Sequence, residues 1–345
     1  MNKIPGIFLR KILVILMANA VFLTLLNGSV YAQTPDFTAT DPIDSSPYTN
    51  LKPLDTVEEK VNPGYVMHYE IPLALSPHDH FLLTPPIARE RVNWPTSDYR
   101  FGYMVTKTNS LHTGLDIPAL ESTPVLASGA GEVVFAGYGL LYGLGAKNDP
   151  YGIAVKIKHT LTYDGYTIYT VYAHLEKTMV HQGDLVEAGQ TIGLVGMTGN
   201  TSGPHLHYEV RIQDERGQIL QNPELWLAPP LEHGVLVGRI TNNMGYLLNT
   251  WKFRLTSLET GRVWQISTYN PKIIANDEHD PYYQENYVLN DLPAGLYEIA
   301  TWYNYVYYKT TIEIIPGAVN YVNFLGKQGF QKGVPPGSPS TDFLN

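Results

Sequence analysis

Four histidines and one aspartate in this 345-residue sequence have the types and spacings that metal chemistry needs. His112-Thr113-Gly114-Leu115-Asp116 sets an imidazole and a carboxylate four positions apart. Tyr172-Ala173-His174-Leu175 supplies a second imidazole, and Gly203-Pro204-His205-Leu206-His207-Tyr208-Glu209 holds two more at i and i+2. On a strand, side chains two apart project from one face, so His205 and His207 are expected to point into one groove. Two adjacent imidazoles satisfy hydrogen bonds poorly in an apolar core; they suit a metal, or one ligand beside one acid/base. A catalytic zinc takes three protein ligands and keeps an open position, and two His plus a carboxylate is one such set. His112, Asp116 and one of His205 or His207 meet that count.

Each piece alone is weak. The sequence carries its own control in His78-Asp79-His80, which has the same spacing in a proline-broken segment with no partner motif. What carries weight is all three elements, in order, in one glycine-punctuated stretch. His68, His159, His181, His233 and His279 have no such context and read as surface or packing residues. The absence of cysteine excludes disulfides, thiolate zinc sites, iron–sulfur clusters and a cysteine nucleophile, so any metal rests on His, Asp or Glu. No H-E-x-x-H occurs, which excludes a helix-borne glutamate base.

The elements that must position these residues are strands. Charged residues make up only 16%, against 25 Tyr, 30 Gly and 25 Pro, a balance that favours an all-β, turn-rich protein. Short apolar runs at Val133–Phe135, Ile153–Ile157, Tyr166–Tyr172, Thr191–Val195 and His205–Arg211 predict antiparallel strands. Asp164-Gly165 marks a hairpin turn, and 137–150 a glycine-rich loop between strands. After a proline-marked boundary at 222–230 a second pattern begins. Runs at 235–240, 252–256, 263–267, 287–289, 297–300, 306–315 and 319–324 fit a small β-sandwich.

The organisation read from this is a signal peptide at 1–32 and a flexible linker at 33–62. A domain at 63–230 follows, with an N-terminal edge segment and a core at 93–212. A β-sandwich at 231–326 and a disordered tail at 327–345 complete the chain. Lys3, Arg10 and Lys11 precede an apolar run from Ile12 to Leu26, and Val30-Tyr31-Ala32 reads as a cleavage site. An uncleaved anchor is the alternative; either way the protein is expected to be secreted or held at the cell envelope. Without residues 1–32 the chain has 20 Lys+Arg against 32 Asp+Glu, a net charge of −12. That is a poor match to nucleic acid, and no nucleic-acid role is expected.

The three motifs resemble those of the lysostaphin-type, or LytM-like, zinc metallopeptidases. So does the spacing between them, with Gly131-Glu132-Val133-Val134 and the run from Gly183 to Gly193 followed by Gly196-Met197-Thr198-Gly199. The resemblance covers about 93–212. It implies an all-β fold, an antiparallel peptidase domain of the duplicated hybrid type with its site in an open groove. It implies one Zn2+ per chain on His112, Asp116 and His207, with His174 and His205 as non-ligand catalytic histidines. His205 would act as general base and His174 would hydrogen-bond the developing oxyanion, or the reverse. The implied substrate is the peptide part of bacterial cell-wall peptidoglycan. This sequence departs from the family in having Met104 where an Arg is frequent, and in a longer loop at 137–150.

Leu292-Pro293-Ala294-Gly295-Leu296-Tyr297 and Pro316-Gly317 give the second domain a resemblance to carboxypeptidase regulatory-like or immunoglobulin-like sandwiches. Its run Trp302-Tyr303-Asn304-Tyr305-Val306-Tyr307-Tyr308 could contact glycan, although alternating aromatics more often stabilise sheet surfaces. The alternative function is a catalytically silent peptidoglycan-binding regulator of a cell-wall amidase. A purely adhesive protein leaves the His/Asp arrangement unexplained. A monomer is expected.

Overall fold

A computed structural model describes residues 78–92, 100–105, 110–215, 217–270 and 280–337. The expected signal peptide, the linker, the first part of the edge segment, His68 and His279 lie outside the described residues.

Period-two alternation builds the first domain. In β10 (His205–Asp214), Leu206, Tyr208 and Val210 are completely buried on one face, while His205, His207, Glu209 and Arg211 share the other. One edge of β10 pairs with β7 (Tyr166–Thr178), and the sheet continues through β6 (Ile153–Tyr163) and β5 (Gly131–Tyr138) to β8 (Leu185–Val186). The other edge pairs first with β3 (Leu115–Pro118) and then with β11 (Gly217–Gln221). β4 (Pro124–Leu126) pairs with β9 (Thr191–Val195), which joins the far end of β7. Every one of these pairings is antiparallel. A separate ladder of β1 (Met104–Val105) and β2 (Ser110–Leu111) delivers the chain to His112. Between β6 and β7, Asp164 and Gly165 both take positive φ (48° and 80°), as a two-residue type I′ hairpin requires.

The strands after residue 230 form two four-stranded sheets that pack face to face around one apolar cluster. One has the order β15 (Tyr287–Pro293), β12 (His233–Thr241), β18 (Val319–Leu325) and β19 (Phe330–Lys332). The other has the order β14 (Val263–Ser267), β13 (Lys252–Ser257), β16 (Gly295–Tyr303) and β17 (Val306–Ile314). The β12–β18 pair is parallel, the rest antiparallel. The run Val235-Leu236-Val237 is apolar without a break because β12 is buried on both faces. Leu236 enters the sandwich core, whereas Val235 and Val237 join the core of the first domain, beside Trp226 and Leu83.

Two expectations change. The tail does not begin at 327: a 3-10 turn at Gly326–Gln328 leads into β19, and the Phe330 ring lies 5.0 Å from that of Phe324. A single aromatic finding a place against the sandwich core is enough to order a segment of otherwise tail-like composition. The described part of the segment expected at the domain's edge contributes to its core instead. Leu83 makes one parallel bridge to Leu227, Pro85 and Pro86 prevent a longer ladder, and Phe81, Leu83 and Ile87 are buried in the core.

Candidate metal centre

Strand pairing brings the sequence-distant residues together. Asp116 on β3 and His207 on β10 are direct cross-strand partners, and on its other side His207 faces Ala173 of β7, next to His174. His112 arrives from the loop before β3. That loop passes so close to β10 that a Cβ at Gly114 would lie 2.4 Å from the Tyr208 carbonyl oxygen, so glycine is required there.

The result is three donor atoms in a tight triangle. His112 Nε2 lies 2.9 Å from Asp116 Oδ1 and 3.1 Å from His207 Nδ1, and His207 Nδ1 lies 2.8 Å from Asp116 Oδ1. The tautomers follow from the opposite ring nitrogens. His112 Nδ1 donates to the Arg100 carbonyl at 3.0 Å, and His207 Nε2 donates to Glu209 Oε1 at 3.2 Å. With both rings neutral, these tautomers turn a lone pair of each toward Asp116; a proton on His207 is what a metal ion would displace. Two lone pairs and a carboxylate oxygen packed this closely repel one another unless a cation lies between them. Donors on a tetrahedral zinc with bonds of 2.0–2.1 Å sit about 3.3 Å apart, close to the separations here. The residues fit a two-histidine, one-carboxylate metal site.

The surrounding electrostatics agree. Burial opposes charge on Asp116, but the adjacent histidines overcome it and hold the carboxyl well below its usual range. Burial also opposes charge on His207, yet hydrogen bonds to Asp116 and Glu209 push it up to about 10. The pocket thus draws in positive charge, whether proton or metal ion. Glu209 is completely buried and accepts from His207, from the Thr113 hydroxyl (2.7 Å) and from the Tyr151 hydroxyl (2.8 Å). Arg211 Nε donates to its other oxygen at 2.7 Å.

His174 and His205 stand beside the triangle. Their ring centroids are 4.8 Å apart, and His174 lies 5.7 Å from His207. His205 Nδ1 donates to the Gly203 carbonyl at 2.8 Å and His174 Nδ1 to the Thr198 carbonyl at 2.8 Å, so each neutral ring carries no proton on Nε2. His205 Nε2 is 3.5 Å from Asp116 Oδ2. Burial, reinforced by the neighbouring His205 and His207, lowers His174 to about 3, and burial lowers His205 as well, so both rest neutral. His174 also holds φ at +61°, a strained backbone for a non-glycine residue, and its N–H donates to the Tyr151 carbonyl.

All five residues singled out in the sequence meet here. The control motif lies elsewhere, with the His80 ring packed edge-on to Trp226 at 4.5 Å. His159 is likewise a packing residue, hydrogen-bonded to Thr170. Sequence reasoning missed Glu209, Tyr151 and Arg100. Glu209 was detectable, because it follows His207 at i+2 and must share its face; Arg100 carries no local signal.

Residues 110–219 match the family model of peptidase family M23. A 150-residue stretch is 39% identical to the DD-carboxypeptidase/endopeptidase Mpg of Neisseria meningitidis serogroup B, covering 41% of this chain and 30% of that protein. Over 117 residues the chain is 41% identical to the peptidoglycan DD-endopeptidase ShyA of Vibrio cholerae, covering 34% of this chain and 24% of the relative. Among solved structures, a zinc-containing peptidase from Vibrio cholerae overlaps 39% of this chain and 37% of that one, at 28% identity and a TM-score of 0.31. The matched region spans less than a third of the length of these two curated relatives.

Proposed function

We propose that this protein is a zinc metalloendopeptidase that hydrolyses peptide bonds of bacterial peptidoglycan outside the cytoplasm. His112, Asp116 and His207 would hold the metal. The observation that carries this reading is the triangle of donor atoms, each within 3.1 Å of the other two. The M23 family match over 110–219 and the peptidoglycan-acting relatives support the substrate class.

When bound, zinc supplies Lewis-acid polarisation of the scissile carbonyl and acidifies a water for attack near neutral pH. The chain's own residues do the rest. The donor atoms of Asp116 and the two ligand imidazoles are already aimed at one point, so metal capture would displace the proton shared by His207 and Asp116 with little movement of the side chains. His205, neutral and without a proton on Nε2, takes the proton of the attacking water. His174 also rests without a proton on Nε2, so it becomes a donor to the developing oxyanion only after taking up a second proton. That proton is disfavoured in the resting site and favoured once negative charge builds in the groove. The two roles can be exchanged on this geometry.

The test separates metal from chemistry. Zinc content is measured alongside clearing of a cell-wall suspension. His112→Ala, Asp116→Ala and His207→Ala are expected to lose both zinc and clearing. His174→Ala and His205→Ala are expected to keep zinc and lose clearing. Near-normal turnover by His205→Ala would overturn the assignment, and a zinc-loaded wild-type protein that clears nothing would mark a binding module instead.

A further inference from the structure

The loop that carries His112 is not held by the first domain alone. The Arg100 carbonyl accepts both His112 Nδ1–H (3.0 Å) and the Tyr103 N–H (3.3 Å). His112 itself is pinned by backbone hydrogen bonds, its N–H to Tyr103 and its carbonyl to the Gly102 N–H, both 2.8 Å. The Arg100 side chain then turns away from the groove and is buried. Its Nη1 pairs with Glu224 in the 3-10 turn after β11, and its Nη2 donates to Asp291 Oδ1 at 3.1 Å. Asp291 lies on β15, in the sandwich domain. The next residue repeats the pattern: the buried Phe101 ring meets Tyr269 of the sandwich edge-on, with centroids 5.7 Å apart.

We infer that the C-terminal sandwich is part of the metal centre's framework, with Asp291 and Arg100 as positioning residues for His112. This rests on the metal-centre reading above and deepens it. An unbroken chain of contacts runs from Asp291 through the Arg100 guanidinium and backbone to His112 Nδ1, and so fixes which nitrogen faces the metal. A guanidinium bridging two buried carboxylates has little freedom to shift, because its planar fork pairs with both at once in a buried seam. Releasing one carboxylate frees the loop, and the Arg100 carbonyl no longer holds the His112 ring in place. Partners that orient a ligand imidazole typically contribute 10–100-fold to metal affinity. The second domain then does more than tether the first.

The test uses the full-length protein with Zn2+ and, as an optical probe, Co2+. Zinc affinity is measured by competition with a chromophoric chelator, the Co2+ visible spectrum reports ligand geometry, and thermal unfolding reports stability. Asp291→Asn and Arg100→Lys are expected to weaken zinc binding by about tenfold or more and to alter the Co2+ bands. Arg100→Lys keeps the charge and carries the comparison if Asp291→Asn does not fold. Tyr269→Phe, at the same seam, loses the hydroxyl bonded to Glu285 and Asn222, and is expected to lower stability with zinc affinity unchanged. If all three variants lose stability while binding zinc as the wild type does, Asp291 and Arg100 are merely structural and the inference falls. Absence of zinc from the wild-type protein itself would instead sink the metal-centre reading beneath it.

Discussion

Glu209 bears on whether two imidazoles and an aspartate suffice to make the site. It is completely buried, held down to about 2 against the effect of burial by its hydrogen bond to His207 and by Arg211, and it fixes the His207 tautomer. Glu209→Gln keeps an acceptor but removes the charge, so zinc affinity is expected to fall roughly 10–100-fold in a chelator competition; unchanged affinity would contradict the role. His159 offers a pH test away from the groove. Burial lowers it to about 4, against an ordinary 6.5, so between those values the unfolded chain binds a proton that the folded chain refuses. Stability is therefore lost as pH falls from 6.5 toward 4, by on the order of 3 kcal/mol. Urea unfolding should show the wild type losing that much more than His159→Gln across the window, and parallel pH curves would contradict it. At this scale the sequence reveals what shares a strand face. His205, His207 and Glu209 are readable from period two, whereas Arg100 reaches its partners across 124 and 191 residues and leaves no pattern.

Elements place the proposed ligands, and the tightest constraint is the β3–β10 pair. Gly114→Ala would set a Cβ 2.4 Å from the Tyr208 carbonyl, forcing the loop off β10 and drawing Asp116 away from His207. The expected outcome is a loss of about 1–3 kcal/mol in stability together with weakened zinc binding; an alanine variant with wild-type values for both would show that the approach is not tight. Strands bounded by turn residues were legible to the residue, as with Thr191–Val195 and Val263–Ser267. Two-residue strands such as Leu185–Val186 are too short to show a period, and Phe330–Lys332 has one apolar residue and no alternation to detect. The segment Phe81–Ile87 reads in the sequence as a proline-broken edge because its burial comes from tertiary contacts with Trp226 and Leu227, not from a local repeat.

At the scale of the whole molecule, the two β units share a core. Val235, Val237 and Val288 of the sandwich pack in the same cluster as Leu83, Tyr172 and Trp226. A shared apolar core and a buried ion cluster at the seam favour cooperative unfolding, so calorimetry is expected to show one transition; two separated transitions would mean independent domains. Sequence periodicity divides the chain at Pro229-Pro230, and only the two-faced burial of β12 shows that the division does not separate the cores. The central claim is that this framework positions a metal-dependent cleavage of wall peptide, and mass spectrometry of fragments released from purified peptidoglycan tests it most directly. The account predicts peptide-bond products from the wild-type protein and none from His205→Ala or after chelation. Release of glycan-cleaved fragments, or an unchanged profile from zinc-loaded wild-type protein, would contradict it.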